Sequence, residues 1–282
     1  MVEYVLGMPN GVDLVMKNIM LKLRYDGTNY CGWQRQANGA TIQGTLEEAL
    51  NLVCRGRRPR RPVDEDEYLR YAEGGVPYTD IQITGCSRTD SGVHALEYVC
   101  NFHTESKLEP SVIKRALNAK LSKDITVLDA EYVAEDFHSR YAPKSKTYVY
   151  QVLNADSHDP FLRNYAYHVK FPLDVEAMNL AASCFVGTFD FRAFTTVEGS
   201  LKNTVRTITD CRVEKAGNLV AISVTGESFL HNQVRIIAGT IIKVGQGKLS
   251  HEEIPRIIES GKRELAGATA PGLGLFLEKV SI

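Results

Sequence analysis

No apolar run in the 282-residue sequence approaches the roughly 20 residues that a membrane-spanning helix needs. Cysteine is sparse: Cys31, Cys54, Cys86, Cys100, Cys184 and Cys211 show no Cys-x-x-Cys spacing and no zinc-type grouping with histidine. They read as reduced thiols of a cytosolic protein, with Cys100 and Cys184 as core fillers. Neither sign of charge dominates, since 33 lysines and arginines face 34 aspartates and glutamates for a formal net charge of −1. A nucleic-acid partner would therefore require basic residues segregated onto one face. The sequence also lacks a phosphate loop, a dinucleotide fingerprint and clustered metal ligands. Gly245-Gln-Gly247 follows a predicted helix rather than opening one, so it reads as a stop signal. Residues 1–18 have no basic start followed by an apolar block, which argues against a secretory signal and for a frayed leader.

What remains is an ordinary globular composition, 44% apolar and 24% charged, on a chain long enough for one large domain or two medium ones. Ile19, Leu21, Leu23 and Tyr25 alternate with polar or flexible neighbours, predicting a strand buried on one face. Asp26-Gly27 then turns the chain towards Trp33, which reads as core packing or as a wall near a substrate. Thr41 caps a predicted helix whose Ile42, Leu46, Ala49, Leu50 and Val53 share one face. The segment 55–80, with an arginine-rich run followed by Asp64-Glu-Asp-Glu67, predicts an exposed insertion. A second helix opens at Pro110 and a strand follows over 125–133.

The later part of the chain begins with a strand over 147–153. A helix capped by Asp174 and two strands come next. Spacings of four and three among Leu230, Val234, Ile237, Ile241 and Val244 predict a helix over 229–244, with His231, Arg235 and Gly239 on another face. Ser250-His-Glu-Glu253 has the form of a capping box, and 272–280 reads as a last strand. The alternation of strands and helices predicts an α+β fold over a mostly antiparallel sheet.

One loop resists a purely structural account. Apolar runs flank Gly85-Cys-Ser-Arg-Thr-Asp-Ser-Gly-Val-His-Ala95, which places the carboxylate of Asp90 between two buried strands. A turn in which Asp90 bonds its own backbone and Gly92 takes a positive φ would explain these residues. They would equally suit a nucleophile or base held ionised by Arg88. Asp-Ser-Gly also matches the aspartic-protease triplet, but that chemistry needs two such carboxylates and the sequence has no second Asp-Thr/Ser-Gly.

The same loop resembles the signature of the TruA-type tRNA pseudouridine synthases. The resemblance extends to Tyr25-Asp-Gly-Thr-Asn-Tyr-Cys-Gly-Trp-Gln34, Phe137-His-Ser-Arg140, Lys146-Thr-Tyr-Val-Tyr150, Phe229-Leu-His-Asn-Gln-Val-Arg235 and Gly274-Leu-Phe-Leu277, in the family's order from Ile19 onward. The family implies two ferredoxin-like halves, 19–140 and 141–282, that share a central sheet with a cleft between them. It implies isomerisation of uridine to pseudouridine in the anticodon stem-loop of tRNA, at positions 38–40, without metal or cofactor. By the same resemblance Asp90 is the catalytic carboxylate, Arg235 its partner, and Tyr148 the ring that stacks on the target base. Leu277 forms an apolar wall and Arg88 fills the space left by the extruded base. His94, Arg140 and Arg206 match family positions that suit either RNA contact or structural pairing.

A cytoplasmic homodimer, whose two subunits jointly bind each tRNA, belongs to the same set of expectations. Two rivals use the same residues. One is a non-catalytic RNA-binding or RNA-folding protein on this scaffold. The other is a nucleoside or glycoside hydrolase, which would need a second carboxylate.

Overall fold

A computed structural model describes residues 16–55, 81–196 and 203–282. Residues 1–15 of the expected leader and 56–80 of the expected insertion lie outside the described residues. The remaining leader residues are not frayed, because β1 (Lys17–Tyr25) begins at Lys17. The Asn18 side chain is buried and donates to the carbonyls of Ala134 and Phe137 at 3.0 and 2.9 Å, tying this end of the strand to the loop beyond β4.

Among the described residues, ten strands form one mixed sheet. The first half of the chain contributes β1, β2 (Ile83–Gly85), β3 (His94–Thr104) and β4 (Ile125–Val133), with helices α1 (Ile42–Arg55) and α2 (Pro110–Asn118). The second contributes β5 (Ser145–Asn154), β6 (Tyr167–Val169), β7 (Gly187–Asp190), β8 (Val205–Ala216), β9 (Leu219–Gly226) and β10 (Leu275–Ser281). Helices α3 (Val175–Ser183), α4 (Gln233–Gly245) and α5 (Ile254–Ser260) accompany them. Strand order along the sheet is β4-β1-β3-β10-β5-β9-β8-β7, with β2 beside β3 and β6 beside β5. All these pairings are antiparallel except β3 with β10 and β5 with β6. The α+β architecture with a mixed, mostly antiparallel central sheet is thus the one the sequence predicts.

The seam of the sheet is β10. It pairs in parallel with β3 (Leu277 opposite Ala95) and antiparallel with β5 (Leu277 opposite Tyr148), so it joins strands drawn from the two halves of the sequence.

Helix boundaries follow from local chemistry. Asp174 accepts from the Ala177 amide at 2.9 Å at the start of α3, and Ser250 and Glu253 form the reciprocal capping box ahead of α5. The helix predicted over 229–244 starts later, at Gln233. Asn232 adopts a left-handed φ of 61°, and the Gln233 side chain accepts from the Leu230 amide at 2.7 Å, so residues 229–232 form a turn instead. Phe229 and Leu230 fit the helical period because they are packed on their own account.

Helix α4 also differs from a one-faced amphipathic helix. Ile236, Ala238, Thr240 and Ile242 are buried alongside Val234, Ile237, Ile241 and Val244. A helix enclosed on nearly every side tolerates a cation only where acceptors meet it. The expected strand over 272–280 likewise begins later, because 272–274 form a short 3-10 turn before β10.

Candidate active site

The loop between β2 and β3 is fixed from several sides. The Tyr98 hydroxyl donates to the Ser87 carbonyl, the Trp33 amide donates to the Thr89 carbonyl at 3.0 Å, and Tyr25 and Thr89 share a hydroxyl contact at 2.9 Å. Trp33 stacks on Tyr98 with ring centroids 4.0 Å apart, so the one tryptophan is core packing that also braces this loop. Gly92 takes a φ of 74°, which lets the chain fold back so that the Val93 amide donates to the Asp90 carbonyl at 3.2 Å. Asp90 is consequently presented on a rigid support, half-buried, at the edge of a cavity of about 870 Å³.

Arg235 reaches it from α4. Its Nη1 donates to Asp90 Oδ2 at 2.9 Å and to Asn232 Oδ1 at 2.8 Å, while Nε donates to the Ala270 carbonyl at 2.7 Å. Three acceptors therefore meet the guanidinium that this enclosed helix carries. The left-handed turn at Asn232 brings its side-chain oxygen to the same nitrogen, which gives that strained conformation a purpose. A second neighbour was not anticipated: His231 Nε2 lies 3.5 Å from Asp90 Oδ1, and its Nδ1 is 2.9 Å from the Thr196 hydroxyl. The helical spacing put His231 on a face with Arg235, but no sequence signal linked it to the carboxylate.

Close packing behind Arg235 depends on Gly239. A Cβ there would come within 1.9 Å of the Ala268 carbonyl oxygen, and the Ala270 amide in turn donates to the Arg235 carbonyl at 3.1 Å. Gly239→Ala is expected to displace the segment 266–270 and lower stability by about 1–3 kcal/mol, the usual cost of overpacking. A denaturant midpoint equal to that of the parent chain would refute this.

Tyr148 lies on the same cavity. Its ring packs edge-on to Phe229, with centroids 5.3 Å apart at 89°, and its hydroxyl meets Ser87 Oγ at 2.9 Å. Burial pushes its phenol well above the ordinary value, so it stays neutral. Leu277 is fully buried beside Tyr148, its register partner on the neighbouring strand; Leu275, on the same strand face, lines the cavity. Arg88 is exposed on the cavity rim and makes no ion pair with Asp90; Arg235 takes that role.

Arg140 and Arg206 both line the cavity. Arg140 lies over the Tyr141 ring at 5.8 Å, and Arg206 donates to the Asn203 and Val205 carbonyls, with burial lowering its pKa. His94 lies elsewhere. It is buried, its Nδ1 accepts from the Gly27 amide at 3.1 Å, its Nε2 meets the carbonyls of Asn164 and Leu273, and its ring stacks on Phe276. Those contacts knit three segments together.

The cavity is unlike the chain as a whole. Its described lining carries Arg88, Arg140, Lys146, Arg206 and Arg235 against one carboxylate, Asp90, although the whole chain has a net charge of −1. That is the segregation of basic residues a polyanionic partner requires.

The family model described as tRNA pseudouridine synthase matches residues 23–142 and 181–281. The chain belongs to the tRNA pseudouridine synthase family. Its enzyme class is therefore that of an isomerase. It is 46% identical over 265 residues to "tRNA pseudouridine synthase A 2" of Clostridium perfringens, covering 94% of this chain and 99% of the relative. It is 43% identical over 265 residues to "tRNA pseudouridine synthase A" of Acetivibrio thermocellus, with the same coverage. Among solved structures, likeness to a dye-decolorizing protein from V. cholerae is weak, with 10% identity and a TM-score of 0.20 over 83% of this chain and 87% of that one, and carries no argument. Both stretches matched by the pseudouridine synthase model contribute to the cavity: Arg88, Asp90 and Arg140 come from one, Arg206 and Arg235 from the other.

Proposed function

We propose that the protein isomerises uridine to pseudouridine on the 3′ side of the tRNA anticodon arm, with Asp90 as its single catalytic carboxylate. The observation that carries the reading is the Asp90–Arg235 pair inside a cavity whose other charged lining is basic. Phosphates of the RNA backbone supply the anions such a lining needs. A base inside a folded arm is out of reach, so the target nucleotide must be extruded, at a cost of a few kcal/mol.

In this reading Arg88, on the rim, occupies the vacated position, and the Tyr148 ring and Leu275 flank the extruded uracil. The reaction breaks the N-glycosidic bond, turns the base and rejoins it through carbon, so no atom is gained or lost. Asp90 acts on the sugar or base while Arg235 pairs with the carboxylate and aims it. A homodimer whose subunits together hold each tRNA is part of the same proposal, and mass measurement in solution tests it.

Incubation with an unmodified tRNA transcript, followed by mapping of pseudouridine, decides the matter. Pseudouridine confined to the 3′ side of the anticodon arm is the expected result. Release of free uracil would identify a hydrolase instead. Binding without modification would identify an RNA-binding protein on the same scaffold.

A further inference from the structure

Lys146 has not yet been assigned a role, and its surroundings are unusual for a lysine. It sits on β5 two residues before Tyr148, so both side chains leave the same face of the strand and both line the cavity. Its residue is 9% exposed, yet among the described residues the ammonium has neither a hydrogen-bond acceptor nor an ion-pair partner. Nearby groups do not supply one. Asp90 is engaged by Arg235 and His231, and the adjacent Cys86 thiol is pushed up to about 11 by burial and so stays uncharged at neutral pH. Burial pulls the Lys146 amine below its ordinary pKa; Cys86 opposes this and Arg140 adds to it.

An ammonium whose stem is buried and whose head meets only a cavity is poorly solvated, and a chain that retains one without a partner has left a place for an anion to complete. A neutral base carbonyl would supply a hydrogen bond but leave the charge uncompensated. Phosphates are the anions that an RNA offers. We propose that Lys146 is a substrate-binding residue that pairs with a backbone phosphate of the RNA segment entering the cavity, deeper than the contacts available to Arg88 on the rim. This inference rests on the reading of tRNA as the substrate. It adds to that reading a specific ion pair formed only in the complex.

The test compares the full chain with Lys146→Met and Lys146→Arg on one unmodified tRNA transcript. Equilibrium binding is measured over a salt series in an Asp90→Asn background, so that the RNA stays unmodified. kcat/KM is measured with Asp90 intact. Loss of one phosphate contact lowers the slope of log Kd against log salt by about 0.7–0.9, and Lys146→Met is expected to show that loss together with a fall in kcat/KM of about tenfold or more. Lys146→Arg is expected to keep the parent slope. The Tm of Lys146→Met should equal or exceed that of the parent, because the substitution removes a poorly solvated charge without a partner.

A parent slope in Lys146→Met, whether or not turnover falls, overturns the inference. If Lys146→Met does not fold, Lys146→Gln is judged by the same slope. Failure of the unmutated chain to modify the transcript would instead defeat the functional reading, which keeps the two failures distinct.

Discussion

Replacing Asp90 by asparagine or alanine is expected to abolish pseudouridine formation, by about 10⁴-fold or more, as removal of a central catalytic group commonly does. tRNA binding should persist, because the basic side chains of the cavity are untouched and one negative charge is gone from among them. Asparagine is the more informative variant. It keeps an oxygen that can accept from Arg235 Nη1, so the loop between β2 and β3 and the turn before α4 remain joined. Loss of activity in a folded, RNA-binding Asp90→Asn protein would isolate the charge itself. Undiminished turnover would refute the assignment of Asp90.

Arg235→Ala carries the second large effect, and it acts on both activity and stability. The guanidinium joins Asp90, Asn232 and Ala270, so truncation leaves all three acceptors short of a donor. Breaking a fully buried pair costs about 3–5 kcal/mol. Here the side chains of Arg235 and Asp90 retain 18% and 24% exposure, so solvent reduces the expected loss to about 1–3 kcal/mol. Activity should fall further, by about 10²–10³-fold, the scale seen when a preorganised donor is removed from an active site. Lysine lacks the planar fork with which Arg235 reaches three diverging acceptors, so Arg235→Lys should recover stability more than turnover. Parent-like kcat/KM in Arg235→Ala would remove its role in aiming the carboxylate.

The site was readable in the sequence where chemistry is carried by rare residue combinations. A carboxylate between two apolar runs is hard to explain as packing, and a lone arginine beside Gly239 on an apolar helix implies a nearby acceptor and a close neighbouring backbone. Both expectations match the structure. What the sequence concealed was set by tertiary geometry. His231 approaches Asp90 because a left-handed Asn232 turns the backbone, and no periodicity encodes that bend. Leu275 and Leu277 share a strand face, so only the placement of the cavity separates a wall residue from a core residue.

Lys146 stood in plain view two residues before Tyr148, yet its lack of a partner is visible only once its neighbours are in place. The fold was easier. Strand alternation and helix caps gave element types, while boundaries slipped at 229–232 and 272–274. At 229–232 the buried Leu230 lies within a turn and so imitates the pattern of the helix that follows, while at 272–274 the half-buried Leu273 extends the apolar run of β10 backwards.

The seam strand β10 has a bearing on biosynthesis. It lies near the C-terminal end of the described sequence yet separates β3 from β5, and the segment just before it supplies the Ala270 carbonyl that anchors Arg235. As a nascent polypeptide leaves the ribosome, β1 to β9 can be complete while the carboxylate still lacks its clamp. The chemistry can therefore be switched on only after β10 has inserted between two strands that were synthesised long before it.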